Sequence, residues 1–129
     1  MPALHAFCRC ASTQGVKRIE VGMSHRGRLN VLHNLLDKPL GMLCSEMEGQ
    51  QSSFRVGDVK YHLGQTVKKD MGDGRQLAIT VAPNPSHLEM GLPVVQGLVR
   101  ALQRHRCAHF NRRRQSVTCS CVMSSCHYY

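Results

Sequence analysis

An α/β fold is predicted for this 129-residue chain by two hydrophobic periods and their order. VKRIEVGM (16–23), GDVKYHLG (57–64) and residues 77–81 alternate with the two-residue period of strands, and apolar residues at helical spacing follow the first and last of these runs. With 42% hydrophobic residues, a chain of this length suffices for one modest domain.

Val16, Arg18 and Glu20 alternate with Lys17, Ile19 and Val21, which predicts a strand ending at Gly22. Leu29, Leu32, Leu35 and Leu36 then recur at helical spacing until Pro39, which cannot continue a helix. VGMSHRGRLNVL (21–32) is therefore strand, turn and helix. Leu40, Leu43, Cys44 and Met47 predict a second short helix, closed by Gly49 and the polar loop GQQSS. In GDVKYHLG, Val59, Tyr61 and Leu63 oppose Lys60 and His62, as in a short strand or extended loop between glycines. MGDGRQ (71–76) is a turn, since Asp-Gly favours one. Leu77, Ile79 and Val81 oppose Ala78 and Thr80 in a further strand before the breaker PNP. Ser86 and Glu89 have capping-box spacing, Pro93 suits a first turn, and Val94, Val95, Leu98 and Leu102 predict a closing helix. Past Arg104 no amphipathic stripe remains, so 1–104 is expected to be the ordered domain and 105–129 a disordered or non-native tail.

The formal net charge of +9 suggests a polyanion partner until it is mapped. Residues 1–102 hold 12 Lys and Arg against 8 Asp and Glu, whereas 103–129 hold five Arg and no acid. The excess lies largely in the tail, and three Phe and three Tyr offer little stacking surface, so nucleic acid is a poor fit to the main body. No apolar run is long enough for a membrane span, and MPALHAFCRC resembles neither a secretory signal nor a transit peptide. The seven cysteines are expected to be free thiols. Cys119, Cys121, Cys126 and His127 do not have a common zinc-finger spacing, so no metal site is expected there.

The chemistry concentrates where chain direction changes. His25, Arg26, Gly27 and Arg28 follow the first strand; Gly27 permits a positive φ, Arg26 or Arg28 offers a planar fork for a carboxylate or phosphate, and His25 can donate one or two hydrogen bonds. His62 and Ser86 stand at two further direction changes, which converge with the first if the strands are neighbours. From the residues alone each also has a plain structural reading: an arginine in a surface ion pair, a solvent-facing histidine, a helix-capping serine.

VGMSHRGRLNVL, GDVKYHLG and NPSHLE followed by PVVQGLVRA, in this order, resemble the first catalytic domain of the E1 component of 2-oxoglutarate dehydrogenase and its 2-oxoadipate-acting relatives, over roughly residues 1–103. The resemblance implies part of a transketolase-like, thiamine-diphosphate-binding α/β domain with Mg2+, and a homodimer that oxidatively decarboxylates a 2-oxo dicarboxylic acid and passes the acyl group to a lipoyl-bearing E2 component. Those relatives serve the tricarboxylic acid cycle or lysine degradation, in the mitochondrial matrix of eukaryotes and the cytoplasm of bacteria. It makes His25 and His62 catalytic, Arg26 a ligand of substrate and cofactor anions, and Ser86 a residue lining the substrate site. The Gly-Asp and Asn segments that hold Mg2+ and diphosphate in that family have no counterpart after Arg104, which implies a fragment inactive by itself. An inert truncated product and a basic nucleic-acid- or anion-binding module are the alternatives.

Overall fold

The structure is a computed structural model that describes residues 1–48, 62, 64–72, 74–83, 88–109 and 117–123, the backbone only for 88–90, 106–109 and 117–123. Along the chain lie α1 (Pro2–Thr13), β1 (Val16–Met23), α2 (Arg28–Asn34), α3 (Leu40–Met47), β2 (Gln65–Asp70), β3 (Gln76–Val81), α4 (Leu88–His109) and β4 (Val117–Met123). The strands form one sheet in the order β2-β3-β1-β4. β1 runs parallel to β3 and β4, with Ile19 opposite Ile79 and Val21 opposite Val81. β2 is the antiparallel edge strand, with Gln65 opposite Val81 and Asp70 opposite Gln76.

The central strands are apolar on one face because Ile19, Val21 and Met23 share it with Leu77, Ile79 and Val81. These side chains pack with Cys8 from α1 and with Val31, Leu35 and Leu36 from α2 and the residues after it, forming the main core. The opposite face takes α4. Its contact centres on Gly22, where an added Cβ would lie 2.8 Å from Val95 Cγ2, so the missing side chain lets the helix seat on β1. Val95 and Val99 bury there with Ala82. Beside them Arg18 pairs with the buried Glu20 and donates to Thr80 Oγ1 at 3.2 Å, satisfying a carboxylate that burial would otherwise penalise.

Local chemistry sets the element ends. Asp37, at φ 55°, takes the chain out of α2, and the Lys38 N–H returns to Leu32 O at 3.0 Å. The buried Lys38–Glu46 pair, 2.7 Å, then fastens α3. Arg75 Nη1 donates to Thr13 O at 2.9 Å, tying the carboxyl end of α1 to the start of β3. In the β2–β3 hairpin, Asp70 Oδ1 accepts from the N–H groups of Gly72 (2.8 Å) and Gly74 (3.1 Å), both at positive φ, so this stretch is the turn that its Asp-Gly dipeptide predicts.

The predicted strands over 16–23 and 77–81 and the helix over 40–47 are present. Of GDVKYHLG only His62, whose backbone is 3-10 helical, and Gly64 are described. Three predictions are corrected. Pro93 lies inside α4, because the helix starts at Leu88; the one backbone hydrogen bond it forgoes falls near the amino end. α2 ends at Asn34, and Leu35 and Leu36 bury just beyond it. Within the tail expected to be disordered or non-native, 105–109 continue α4 and 117–123 form β4 beside β1, since VTCSCVM alternates with a strand period, which no search for a helical stripe detects; 110–116 and 124–129 lie outside the described residues. Cys126 and His127 of the weighed zinc spacing lie outside the described residues.

Gly22→Ala should destabilise the chain by about 1–3 kcal/mol, the usual cost of overpacking against a stiff β-branched side chain. In urea unfolding, adding Val95→Ala should recover part of that loss. Strict additivity of the two substitutions would rule out the contact as the cause.

Candidate functional site

Strand direction brings the candidate residues to one edge. β1 and β3 are parallel and end together; β2 is antiparallel and therefore begins where they end. His25, two residues past β1, and His62, three residues before β2, consequently meet, with ring centroids 4.8 Å apart and planes inclined by 40°. Ligands gather at the carboxyl ends of strands in open α/β sheets.

Two glycines make this meeting sterically possible. Gly27, at φ 75°, closes the turn after His25, whose carbonyl accepts from the Arg28 N–H at 3.0 Å. An added Cβ on Gly64 would lie 2.8 Å from Val81 O and 3.0 Å from Pro83 Cδ, so only glycine lets the His62 segment pass the end of β3 this closely.

The two arginines of HRGR divide their work. Arg26 is exposed. Arg28 is fully buried, and its guanidinium donates to Met23 O (3.4 Å, Nη1) and Ala82 O (2.6 Å, Nη2), bridging the ends of β1 and β3. Burial lowers its pKa from the ordinary guanidinium value. Sequence reasoning gave the site role to Arg26 and missed the structural role of Arg28. The signal was present: Arg28, Val31, Leu32 and Leu35 fall at i, i+3, i+4 and i+7, which puts Arg28 on the buried stripe of α2.

His25 is exposed and His62 half-buried, so the pair faces outward from the edge with Arg26 beside it in sequence. Histidine and arginine side chains together donate to carboxylates. α2 has only seven residues, so the capacity for an anion lies in these side chains rather than in a helix terminus. Ser86 lies outside the described residues, so the structure brings together two of the three predicted direction changes. His33, by contrast, is structural: its Nδ1 bonds Lys38 O at 2.8 Å. Among the described residues, no group of three or more His, Cys, Asp or Glu side chains is placed to hold a metal ion.

A histidine pair with Arg26 beside it in sequence thus stands at the carboxyl ends of the parallel strands, where open α/β sheets gather ligands. Comparison with known proteins narrows the class. No protein-family model matches the chain. The chain is 41% identical over 107 residues to the mitochondrial 2-oxoglutarate dehydrogenase of Schizosaccharomyces pombe, covering 81% of this chain and 11% of that protein. It is 45% identical over 116 residues to the 2-oxoglutarate dehydrogenase E1 component of Staphylococcus saprophyticus, covering 80% of this chain and 12% of the relative. The corresponding figures for the E1 component of Haemophilus influenzae are 46% over 104 residues, 80% and 11%. The chain belongs to the 2-oxoglutarate dehydrogenase E1 family as a segment, spanning about a tenth of the length of these relatives.

Arg28→Leu should destabilise the chain by about 2–4 kcal/mol, because the buried carbonyls of Met23 and Ala82 lose their donors. Arg26→Ala, at an exposed position, should stay within about 0.5 kcal/mol of the parent. Denaturant unfolding compares the two directly, and equal effects would remove Arg28 as the clamp.

Proposed function

We propose that this segment forms the part of an E1 active site that receives a 2-oxo dicarboxylic acid, 2-oxoglutarate or 2-oxoadipate. The supporting observation is the approach of His25 and His62 to 4.8 Å at the carboxyl edge of the sheet. A 2-oxo diacid carries one carboxylate that leaves as CO2 and a distal one that persists. The distal group needs fixed donors, and two imidazoles with an adjacent exposed guanidinium supply them. His25 and His62 orient the diacid and hold protons near its 2-oxo group; Arg26 contributes positive charge; Ser86 lines the same site.

In this reading the whole enzyme oxidatively decarboxylates the acid, transfers the acyl group to a lipoyl-bearing E2 component and works as a homodimer. Its compartment follows its relatives, which include a mitochondrial yeast protein and bacterial ones. Thiamine diphosphate supplies the electron sink for decarboxylation in such enzymes. Among the described residues no group of three or more His, Cys, Asp or Glu side chains fits Mg2+, and Arg26 is the residue that would meet the cofactor's anions.

Titrating the chain with 2-oxoglutarate and with 2-oxobutyrate while following the imidazole resonances tests this reading. The diacid should bind more tightly, and His25→Ala and His62→Ala should each weaken it about ten-fold, as expected for a hydrogen bond to a charged group. Equal affinity for the two acids, or unchanged diacid binding in the double variant, would overturn it.

A further inference from the structure

The histidine pair is equipped for a second kind of chemistry besides contact with an anion. His25 and His62 stand with ring centroids 4.8 Å apart and planes inclined by 40°. Attraction between aromatic rings favours an offset parallel stack or an edge-to-face contact, and this inclination is neither. An imidazole nitrogen bonds a late first-row divalent ion at about 2.0–2.1 Å, which puts the ring centroid about 3.2 Å from the ion, so two rings at a square-planar or tetrahedral angle have centroids about 4.5–5.2 Å apart. The observed separation falls inside that interval.

The surroundings suit a chelate of two side chains. The positive φ of Gly27 and the close approach of Gly64 to Val81 O and Pro83 set the backbone beside each ring, so the pair is brought together by the fold before any ion arrives. Each imidazole has two ring nitrogens, and a hydrogen bond at one leaves the other for an ion and fixes its tautomer. Among the described residues no third His, Cys, Asp or Glu joins the pair, and His25 is exposed, so water reaches the remaining coordination positions. Arg28 turns its charge inward to Met23 O and Ala82 O, and the charge of exposed Arg26 is screened by solvent. Mg2+ is a poor occupant of such a pair, because it demands oxygen ligands.

We propose that His25 and His62 form a two-histidine clip for a late first-row divalent ion such as Ni2+, Cu2+ or Zn2+, with water in its other positions. The ion and an acid compete for the same ring nitrogens, but the clip rests on the ring geometry and not on the identity of the acid.

Ni2+ is the probe, added to the 129-residue chain while the imidazole resonances are followed, since its unpaired electrons broaden nearby nuclei. The His25 and His62 resonances should broaden together and before those of the other histidines, and Mg2+ at the same concentration should leave them sharp. His25→Gln and His62→Gln should each weaken Ni2+ binding at the remaining ring about ten-fold or more, because the second bond of a chelate is intramolecular. Position 25 is exposed and 62 half-buried, and unchanged circular dichroism verifies that each variant folds. Ni2+ broadening at one ring that is unchanged by replacing the other, earlier loss at histidines elsewhere in the chain, or an equal response to Mg2+ would each overturn the clip. Failure to bind Ni2+ with diacid binding intact overturns the clip alone, and Ni2+ binding without preference for the diacid overturns the acid reading alone.

Discussion

The Arg28 guanidinium holds the carboxyl edge of the sheet together. A sheet assembled from sequence-distant strands has no covalent reason for β1 and β3 to end at one level, and their terminal carbonyls lie where the ladder stops. Arg28 reaches both Met23 O and Ala82 O from the first position of α2, so one buried side chain couples strand ends and helix start. The Ala82 N–H, bonded to Val21 O at 2.9 Å, extends the register past the end of β3. A lysine could not reproduce this, since its ammonium lacks the planar fork that bonds two divergent acceptors.

The placement of the histidines depends on that coupling. His25 belongs to the turn that Arg28 closes, and His62 enters beside the Val81–Pro83 segment whose Ala82 carbonyl Arg28 holds. A change in the relative height of β1 and β3 would therefore move the two rings in different directions. Sites that act on a small ligand tolerate little such movement, because a misplacement of about 1 Å can cost on the order of 10²-fold in rate. Buried polar structure here acts on geometry more than on affinity: the outward-facing groups can meet a ligand, and the inward-facing one fixes where they stand.

Much of the architecture was legible where a single period dominates. The run from Val16 to Met23 and the stretch 77–81 declare themselves by their alternation, and the helix from Leu40 to Met47 by its spacing, although of the residues that carry that spacing only Leu43 is buried. β2 did not, since QTVKKD is an edge strand whose exposed positions alternate with half-buried ones, and only the hairpin with β3 gives it a place. α1 was hidden because PALHAFCRCAST was weighed as a targeting signal rather than for its helical face, which buries Cys8 and Ser12. β4 escaped because its neighbours to either side carry no pattern. In the candidate site, the direction changes after β1 and before β2 were readable from motifs, but their meeting was not, since it requires the antiparallel direction of β2.

The same topology explains why the two faces of the sheet differ in what they leave open. On the α1 and α2 side, apolar positions from three strands meet side chains from two helices, which closes a continuous core. Among the described side chains on the α4 side, β1 and the β3 end contribute Arg18, Glu20, Gly22, Thr80 and Ala82, two of them charged and two too small to reach far, and the backbone of β4 lies against the same helix. Its remaining hydrophobic positions cannot turn inward, because Gly22 and Val95 already fix its rotation. A helix oriented by one close contact and left apolar along its flank completes its burial by packing sideways.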